Sequence, residues 1–203
     1  LQERAKATRR SLVEAAAQLF AEQGYAATSV HDIGARSGRT SGAVYFHYTG
    51  KEGIAVAVVE DRFATWSQLA ARYGDETVPP LERLVSLSYE IAHALARDPV
   101  TRAGARLWAE RTIIKAPVPD PFALWTAAAT RLLAQARLAG QVNERVRPAR
   151  TARALVRAFF GLCTLTDALE GTTVLDDRLT DWWHLTLPAL RSQRSRGNVP
   201  AVR

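Results

Sequence analysis

Cysteine is almost missing from this chain of 203 residues: Cys163 stands alone, and there is no methionine. A single thiol has no partner for an internal disulfide, so the fold must hold without staples, and a reducing cytoplasm is the natural compartment. Lysine is scarce too. It occurs at Lys6, Lys51 and Lys115, leaving arginine to carry nearly all of the 27 basic residues. No apolar run approaches the ~20 residues that a bilayer requires; the longest, Ile54 to Val59, is far shorter. The start, Leu1-Gln2-Glu3-Arg4, lacks the apolar stretch of a secretory signal. Also missing are G-x-S-x-G, a phosphate-binding glycine loop, and paired His or Cys at metal-ligand spacing. His31, His47, His93 and His184 are scattered. These gaps argue against an enzyme, and no metal or other cofactor is expected.

What the chain does have is positive charge, alanine and helical periodicity. The formal net charge is +7 and the pI about 10.2, which favours a polyanionic partner. An arginine- and alanine-rich composition also follows from a GC-rich genome, so charge alone leaves the partner open. Every long segment repeats its apolar residues at helical spacing, and none alternates apolar with polar for the length of a strand. The fold class is therefore all-α. Helices are expected at about Thr8–Gln23, Val30–Ser37 and Ser41–Tyr48. Longer ones follow at about Lys51–Tyr73, Leu81–Arg97, Val100–Glu110, Pro121–Gly140, Ala149–Glu170 and Arg178–Gln193. The breaks are Gly24, Gly38, Val78-Pro79-Pro80, Asp98-Pro99, Ala116-Pro117-Val118-Pro119, Gly140, Arg147-Pro148 and Gly171. The three short helices cannot each be stable alone. A shared core of Leu12, Phe20, Val30, Ile33, Val44 and Phe46 is expected.

Residues 30–48 have the form of a helix-turn-helix, two short helices joined by a turn at Gly38. Gly34 lies inside the first, where it costs ~1 kcal/mol against alanine; a backbone crossing close by would explain it. The second helix opens Thr40-Ser41-Gly42-Ala43-Val44-Tyr45. Small and hydroxylic residues at a helix start can enter the major groove, while free backbone N–H groups face phosphate. An ordinary helical corner in an unrelated all-α protein is the competing reading of that shape. The residues themselves narrow it. Phe20 through Gly34 (FAEQGYAATSVHDIG), then Gly38-Arg39-Thr40-Ser41-Gly42-Ala43-Val44-Tyr45-Phe46-His47-Tyr48 and Lys51-Glu52, resemble the signature of tetracycline-repressor-type (TetR family) regulators over roughly residues 8–60. The resemblance implies a dimeric DNA-binding protein. Thr28 and Ser29 open its first motif helix, and Arg39, Thr40, Ser41, Gly42 and Tyr45 belong to the turn and recognition helix. Tyr45, His47 and Lys51 serve as DNA-backbone contacts. Arg39 stands where the family often has an apolar residue, and Gly50 and Gly53 also depart from its pattern.

Farther along, Pro117-Val118-Pro119-Asp120-Pro121-Phe122-Ala123-Leu124-Trp125 resembles a stretch of the γ-butyrolactone-type autoregulator receptors of actinomycetes, in which the tryptophan packs against the signal. From the residues alone, Trp125 is in register with Ala129, Leu132 and Ala136. A large ring beside alanines either fills core or borders a small-ligand pocket. Tyr89, Gln135 and Thr164 are the candidate polar anchors, and Trp66 and Trp108 are further candidate liners. The helix from Ala149 to Glu170 is apolar nearly all round, and the final helix adds Trp182, Trp183, Leu187 and Leu190. That pair is either core on every side or packs against its copy; the resemblance favours the copy.

The resulting expectation is a DNA-binding domain at residues 1–50, a ligand-binding and dimerisation domain at 51–194, and a disordered tail at 195–203. In function it is a cytoplasmic homodimeric repressor with no membrane association. It would hold double-stranded operator DNA and release it on binding a γ-butyrolactone, butenolide or furan inducer. A small enzyme and a ligand-independent architectural DNA-binding protein are the alternatives.

Overall fold

Each short helix near the N-terminus is bounded by its own capping residues, and these set the geometry of the motif. The computed structural model describes residues 2–72, 77–120 and 122–192, with backbone alone for 62–72. The expected tail and Trp66 lie outside what it describes. Helix α1 is Gln2–Ala27, α2 is Val30–Ser37 and α3 is Ser41–Tyr48. Ser29 caps α2 through a reciprocal pair: its hydroxyl accepts from Asp32 N at 3.1 Å, and Asp32 Oδ2 accepts from Ser29 N at 2.9 Å. Gly38, at φ 66°, ends α2 in the left-handed region that glycine adopts without strain. Thr40 caps α3 by accepting from Ala43 N at 3.3 Å. Gly34 has the close crossing its position implied: a Cβ there would lie 3.0 Å from Arg39 O and from Ser41 N.

The remaining helices are α4 (Lys51–Arg72), α5 (Pro80–Arg97), α6 (Pro99–Ala109), α7 (Phe122–Leu138), α8 (Pro148–Leu169) and α9 (Leu175–Leu190). Single 3-10 turns stand at Arg111–Ile113 and Thr172–Val174. Most boundaries fall within one or two residues of the sequence reading; α1 runs on past Gln23 to Ala27, α9 stops at Leu190 rather than Gln193, and two helix starts differ more tellingly. Helix α1 begins at Gln2 rather than Thr8, because its first turns are polar, exposed and carry no apolar stripe to reveal them. Helix α9 begins at Leu175 rather than Arg178. Leu175 is buried, and Asp176 and Asp177 fall in the first turn, where carboxylates oppose the helix dipole. No described helix is long and apolar enough to cross a membrane.

The helices pack as two units, Leu1–Ser67 with Asp98–Pro121, and Gln68–Arg97 with Phe122–Arg203. The core of the first holds Leu12, Phe20, Ile33, Val44, Ile54, Val58 and Leu107. Phe46 does not join it: Val44 and Tyr48, one turn apart, fill the inward face of α3, and Phe46 is turned outward, 85% exposed. Helix α6 joins this unit through an ion pair that closes the end of α1. Arg106 Nη1 donates to Ala21 O at 2.9 Å, its Nε donates to Glu110 Oε1 at 3.0 Å, and Glu110 Oε2 accepts from Tyr25 N at 2.6 Å. The backbone between leaves the helical path at Gly24 (φ 84°, ψ 176°), where a Cβ would stand 2.7 Å from both Arg106 and Glu110 side-chain atoms. Trp108 also belongs here, with the Arg111 guanidinium 3.9 Å above its ring, and it is not among the residues that line the cavity described below.

In the second unit, α5, α7, α8 and α9 pack together. Three polar clips join α5 to α9: Trp183 Nε1 donates to Ser88 Oγ at 2.8 Å, Tyr89 Oη meets Thr180 Oγ1 at 2.7 Å, and His93 Nε2 meets Asp176 Oδ1 at 2.8 Å. Trp183 is almost wholly buried. Its burial with a satisfied N–H makes it the anchor of this unit rather than part of an outer face.

Candidate DNA interface and ligand cavity

Helix α3 turns Val44 and Tyr48 inward, and the Tyr48 hydroxyl donates to Arg9 O at 2.9 Å, pinning α3 to α1. That leaves Gly42, Tyr45 and Phe46 on the outward face. Tyr45 is 59% exposed and carries a free-standing phenol tip on an apolar ring. The Phe46 ring meets the His47 ring edge-on at 4.9 Å. Arg39 and Thr40 are exposed beside the start of the helix, with Ser41 and His47 half-buried. Gly42 has no reason inside the chain to be glycine. Its φ is ordinary, and a Cβ would meet nothing closer than Thr40 Oγ1 at 3.6 Å.

The other candidates sit behind this face. Ser29 is exposed, but its hydroxyl also donates to Asp32 Oδ2 at 2.6 Å. The hydroxyl and backbone N–H of Ser29 hold the Asp32 carboxyl below the usual carboxylate range. Thr28 is buried: its hydroxyl donates to Gly24 O at 2.7 Å and accepts from Gln23 Nε2 at 3.3 Å. It closes the turn after α1 instead of reaching outward. Lys51 Nζ donates to Ala26 O at 3.3 Å and stands 4.2 Å over the Tyr25 ring. Partial burial pulls its ammonium below the usual range. The structure thus ties Lys51 to the end of α1, on which the α2–α3 pair is mounted.

A second site is a cavity in the other unit, of about 40 Å3, lined by α5 (Leu84, Leu87, Ser88, Ile91), Trp125 and Ala129 of α7, and residues of α8 and α9. The last include Phe159, Phe160, Trp182 and Trp183. Trp125 lies on it. Tyr89, Gln135 and Thr164 do not. The Tyr89 hydroxyl is engaged with Thr180, Gln135 Oε1 accepts from Arg83 Nη1 at 3.4 Å, and Thr164 faces outward on α8. The lining is almost wholly apolar, and its polar side chain is one that sequence reasoning missed, Ser88. The Ser88 hydroxyl donates to Val85 O at 2.6 Å and accepts from Trp183, so its one remaining capacity is as an acceptor. Adjacent Trp182 and Trp183 were the available sequence signal, but their position on the last helix read equally well as interface.

The inner stripe of α8, Ala152, Phe159, Cys163 and Thr166, is buried within the chain. So are Trp183, Leu187 and Leu190 of α9. The apolar residues left outward are Leu165 (61% exposed), Leu169 (78%) and Leu185 (80%). They continue a row of small residues on α8, Ala154, Ala158 and Gly161, all exposed. Burial pushes the Cys163 thiol up to about 12. At pH 8 its thiolate should then be roughly a ten-thousandth of the population, against about a quarter for an ordinary thiol. Native protein should resist iodoacetamide at pH 8, and urea-unfolded protein should be alkylated within minutes; equal rates in the two would contradict the burial.

Residues 12–58 match the family model described as bacterial regulatory proteins, tetR family. Residues 78–192 match that of the tetracyclin repressor-like C-terminal domain. The A-factor receptor protein of Streptomyces griseus is 31% identical over 93% of this chain and 66% of its own length. The chain spans just under two thirds of that relative and about half of other curated regulators that it matches. Among solved structures, a gamma-butyrolactone receptor (ArpA-like protein) is 30% identical, with a TM-score of 0.78, covering 95% of this chain and 92% of that one. CprB, a TetR family protein from Streptomyces coelicolor solved in complex with its biological operator sequence, is 31% identical with a TM-score of 0.77, again covering 95% and 92%.

Proposed function

Since the chain belongs to the tetR family of bacterial regulatory proteins, we propose that it is a cytoplasmic, homodimeric transcriptional repressor that holds an operator and lets it go when a small lactone-type signal enters the α5–α9 cavity. The observation that carries the DNA half is the outward face of α3, where a glycine without internal cause lies one turn before two exposed aromatic side chains. A backbone that approaches DNA closely at Gly42 supplies the missing cause. Ser41, Tyr45 and His47 then reach base edges and phosphates. Arg39 and Thr40 contact the backbone from the turn and Lys51 from the start of α4, while Ser29, whose two donors go to Asp32, caps α2.

The inducer half rests on the cavity beside Trp125. The ring of a γ-butyrolactone, butenolide or furan suits the apolar lining, and a hydroxyl substituent on it donates to the remaining lone pair of Ser88 Oγ. The space in this conformation holds only about two or three waters, so a substituted lactone enters by displacing Trp125, Phe160 or Trp182. A ligand with such a requirement prefers the opened state, and differential affinity of that kind is what shifts an equilibrium. The chain passes between the units at Ser67/Gln68, Arg97/Asp98 and Pro121/Phe122, so α4 and the α6 segment are the carriers of the change. The proposed dimer forms through the outward faces of α8 and α9.

Selection from a random duplex pool tests the DNA half. The protein should enrich a near-palindrome with half-site centres about one helical turn (~34 Å) or more apart. Arg39→Ala should weaken binding to every duplex and lower the slope of log affinity against log salt by about 1 per subunit, since each lost phosphate contact releases fewer counterions. An unenriched pool would overturn operator binding, and an unchanged slope would remove Arg39 from the phosphate contacts.

A further inference from the structure

Phe46 is the most exposed aromatic side chain among the described residues, 85% open to solvent, and it sits on the face of α3 assigned above to DNA. Among the described residues, the ring that meets it is His47, edge-on at 4.9 Å. A phenyl ring has neither donor nor acceptor, so it cannot pair with the polar edges of bases, and pressing it against them would strand their hydrogen-bonding groups. The major groove offers one apolar group, the C5-methyl of thymine. Gly42, one turn before Phe46, lets the helix axis come near enough for the ring to reach the groove floor. A larger residue at position 42 would hold α3 away, although the chain itself leaves room for it.

We propose that Phe46 is a specificity-determining residue that reads a thymine in each half-site through its methyl group. The assignment rests on the operator-binding reading of α3 and adds to it which base is chosen and by what chemistry. Tyr45, its exposed neighbour, carries a hydroxyl for phosphate; Phe46 adds no such bond and contributes through apolar contact alone.

The test uses the duplex enriched from a random pool, resynthesised with each symmetry-related pair of thymines replaced by deoxyuridine, which keeps every hydrogen bond and removes the methyl. For wild-type protein, one pair of positions should cost about fourfold per methyl, and about fifteenfold for the two half-sites together. Phe46→Ala, folded by its melting temperature because the side chain packs on so little, should bind the thymine duplex more weakly and be indifferent to uracil at that pair. Phe46→Leu, apolar but smaller, should keep part of the discrimination. An enriched duplex that tolerates uracil everywhere overturns the assignment while leaving operator binding intact, and so does a uracil penalty that persists in Phe46→Ala. A pool that enriches nothing overturns the operator reading and this assignment with it.

Discussion

Gly53→Ala should cost the protein about 3 kcal/mol or more, lower its melting temperature by roughly 6–12 °C, and abolish operator binding. A Cβ at position 53 would overlap the carbonyl oxygen of Tyr48 and stand 2.8 Å from the Tyr48 carbonyl carbon and 2.9 Å from Thr49 Oγ1. The obstacle is backbone, so no side-chain rotation relieves it. Helix α3 cannot retreat either, because Tyr48 is buried and bonded to Arg9 O. Shifting α4 instead would draw Ile54, Ala55 and Val58 out of the core. Gly42→Ala is the internal control. The same methyl at that position meets only ordinary contact, and replacing a glycine in the first turn of α3 should leave stability equal or higher, by at most ~1 kcal/mol, while weakening DNA binding. Melting curves and operator titrations of the two variants separate a glycine required by the fold from one required by a partner. A wild-type melting temperature for Gly53→Ala would contradict the packing of α4 against the end of α3.

Leu165→Glu and Leu185→Glu should each convert a dimer to monomer at micromolar concentration and reduce operator affinity at least about a hundredfold. Both side chains are more than half exposed in the single chain, so a carboxylate there costs the isolated fold almost nothing. In a self-complementary interface the same carboxylate appears twice, buried without a partner, a cost of several kcal/mol. Gly161 points the same way: it stands mid-helix on that face, and a Cβ there would meet none of the described residues within 4 Å. Close approach of a second α8 gives it a purpose. Leu187→Glu and Phe160→Glu, obvious choices from the apolar stripes, would mislead. Leu187 is buried, and Phe160 packs against Phe122 and Phe159, so failure there would report on folding. Sedimentation of the Leu165 and Leu185 variants as stable dimers would move the interface elsewhere.

The helix-turn-helix was legible because its boundaries are local. Ser29, Gly38 and Thr40 each act on residues within three or four positions, and α2 and α3 lie where those residues placed them. Gly34 was readable for the same reason, a cost at one position explained by the next turn. Phe46 was misread as core because it is apolar, when in an eight-residue helix Val44 and Tyr48 already occupy the inward face. The cavity was harder. Tyr89 and Gln135 were chosen for lying beside apolar stripes, but their bonds run to Thr180 and Arg83, partners 91 and 52 residues distant. Ser88 acquires its place from Trp183, 95 residues away. Periodicity gives the faces of a helix and is silent on which distant helix meets them. Helix α8, apolar on more than one face, shows this most plainly: only packing divides Phe159 and Cys163 from Leu165 and Leu169.

The coupling between the two sites is the central claim, and it is measured by titrating operator duplex with and without lactone. Trp125, Trp182 and Trp183 border the cavity, so intrinsic fluorescence reports when a γ-butyrolactone, butenolide or furan has filled it. With the site saturated, operator affinity should fall about a hundredfold, ~2.7 kcal/mol, and by linkage saturating operator should weaken lactone binding by the same factor. A protein whose tryptophans show the lactone bound while its operator affinity stands unchanged would contradict the account, as would one whose fluorescence and operator affinity respond to none of the three classes.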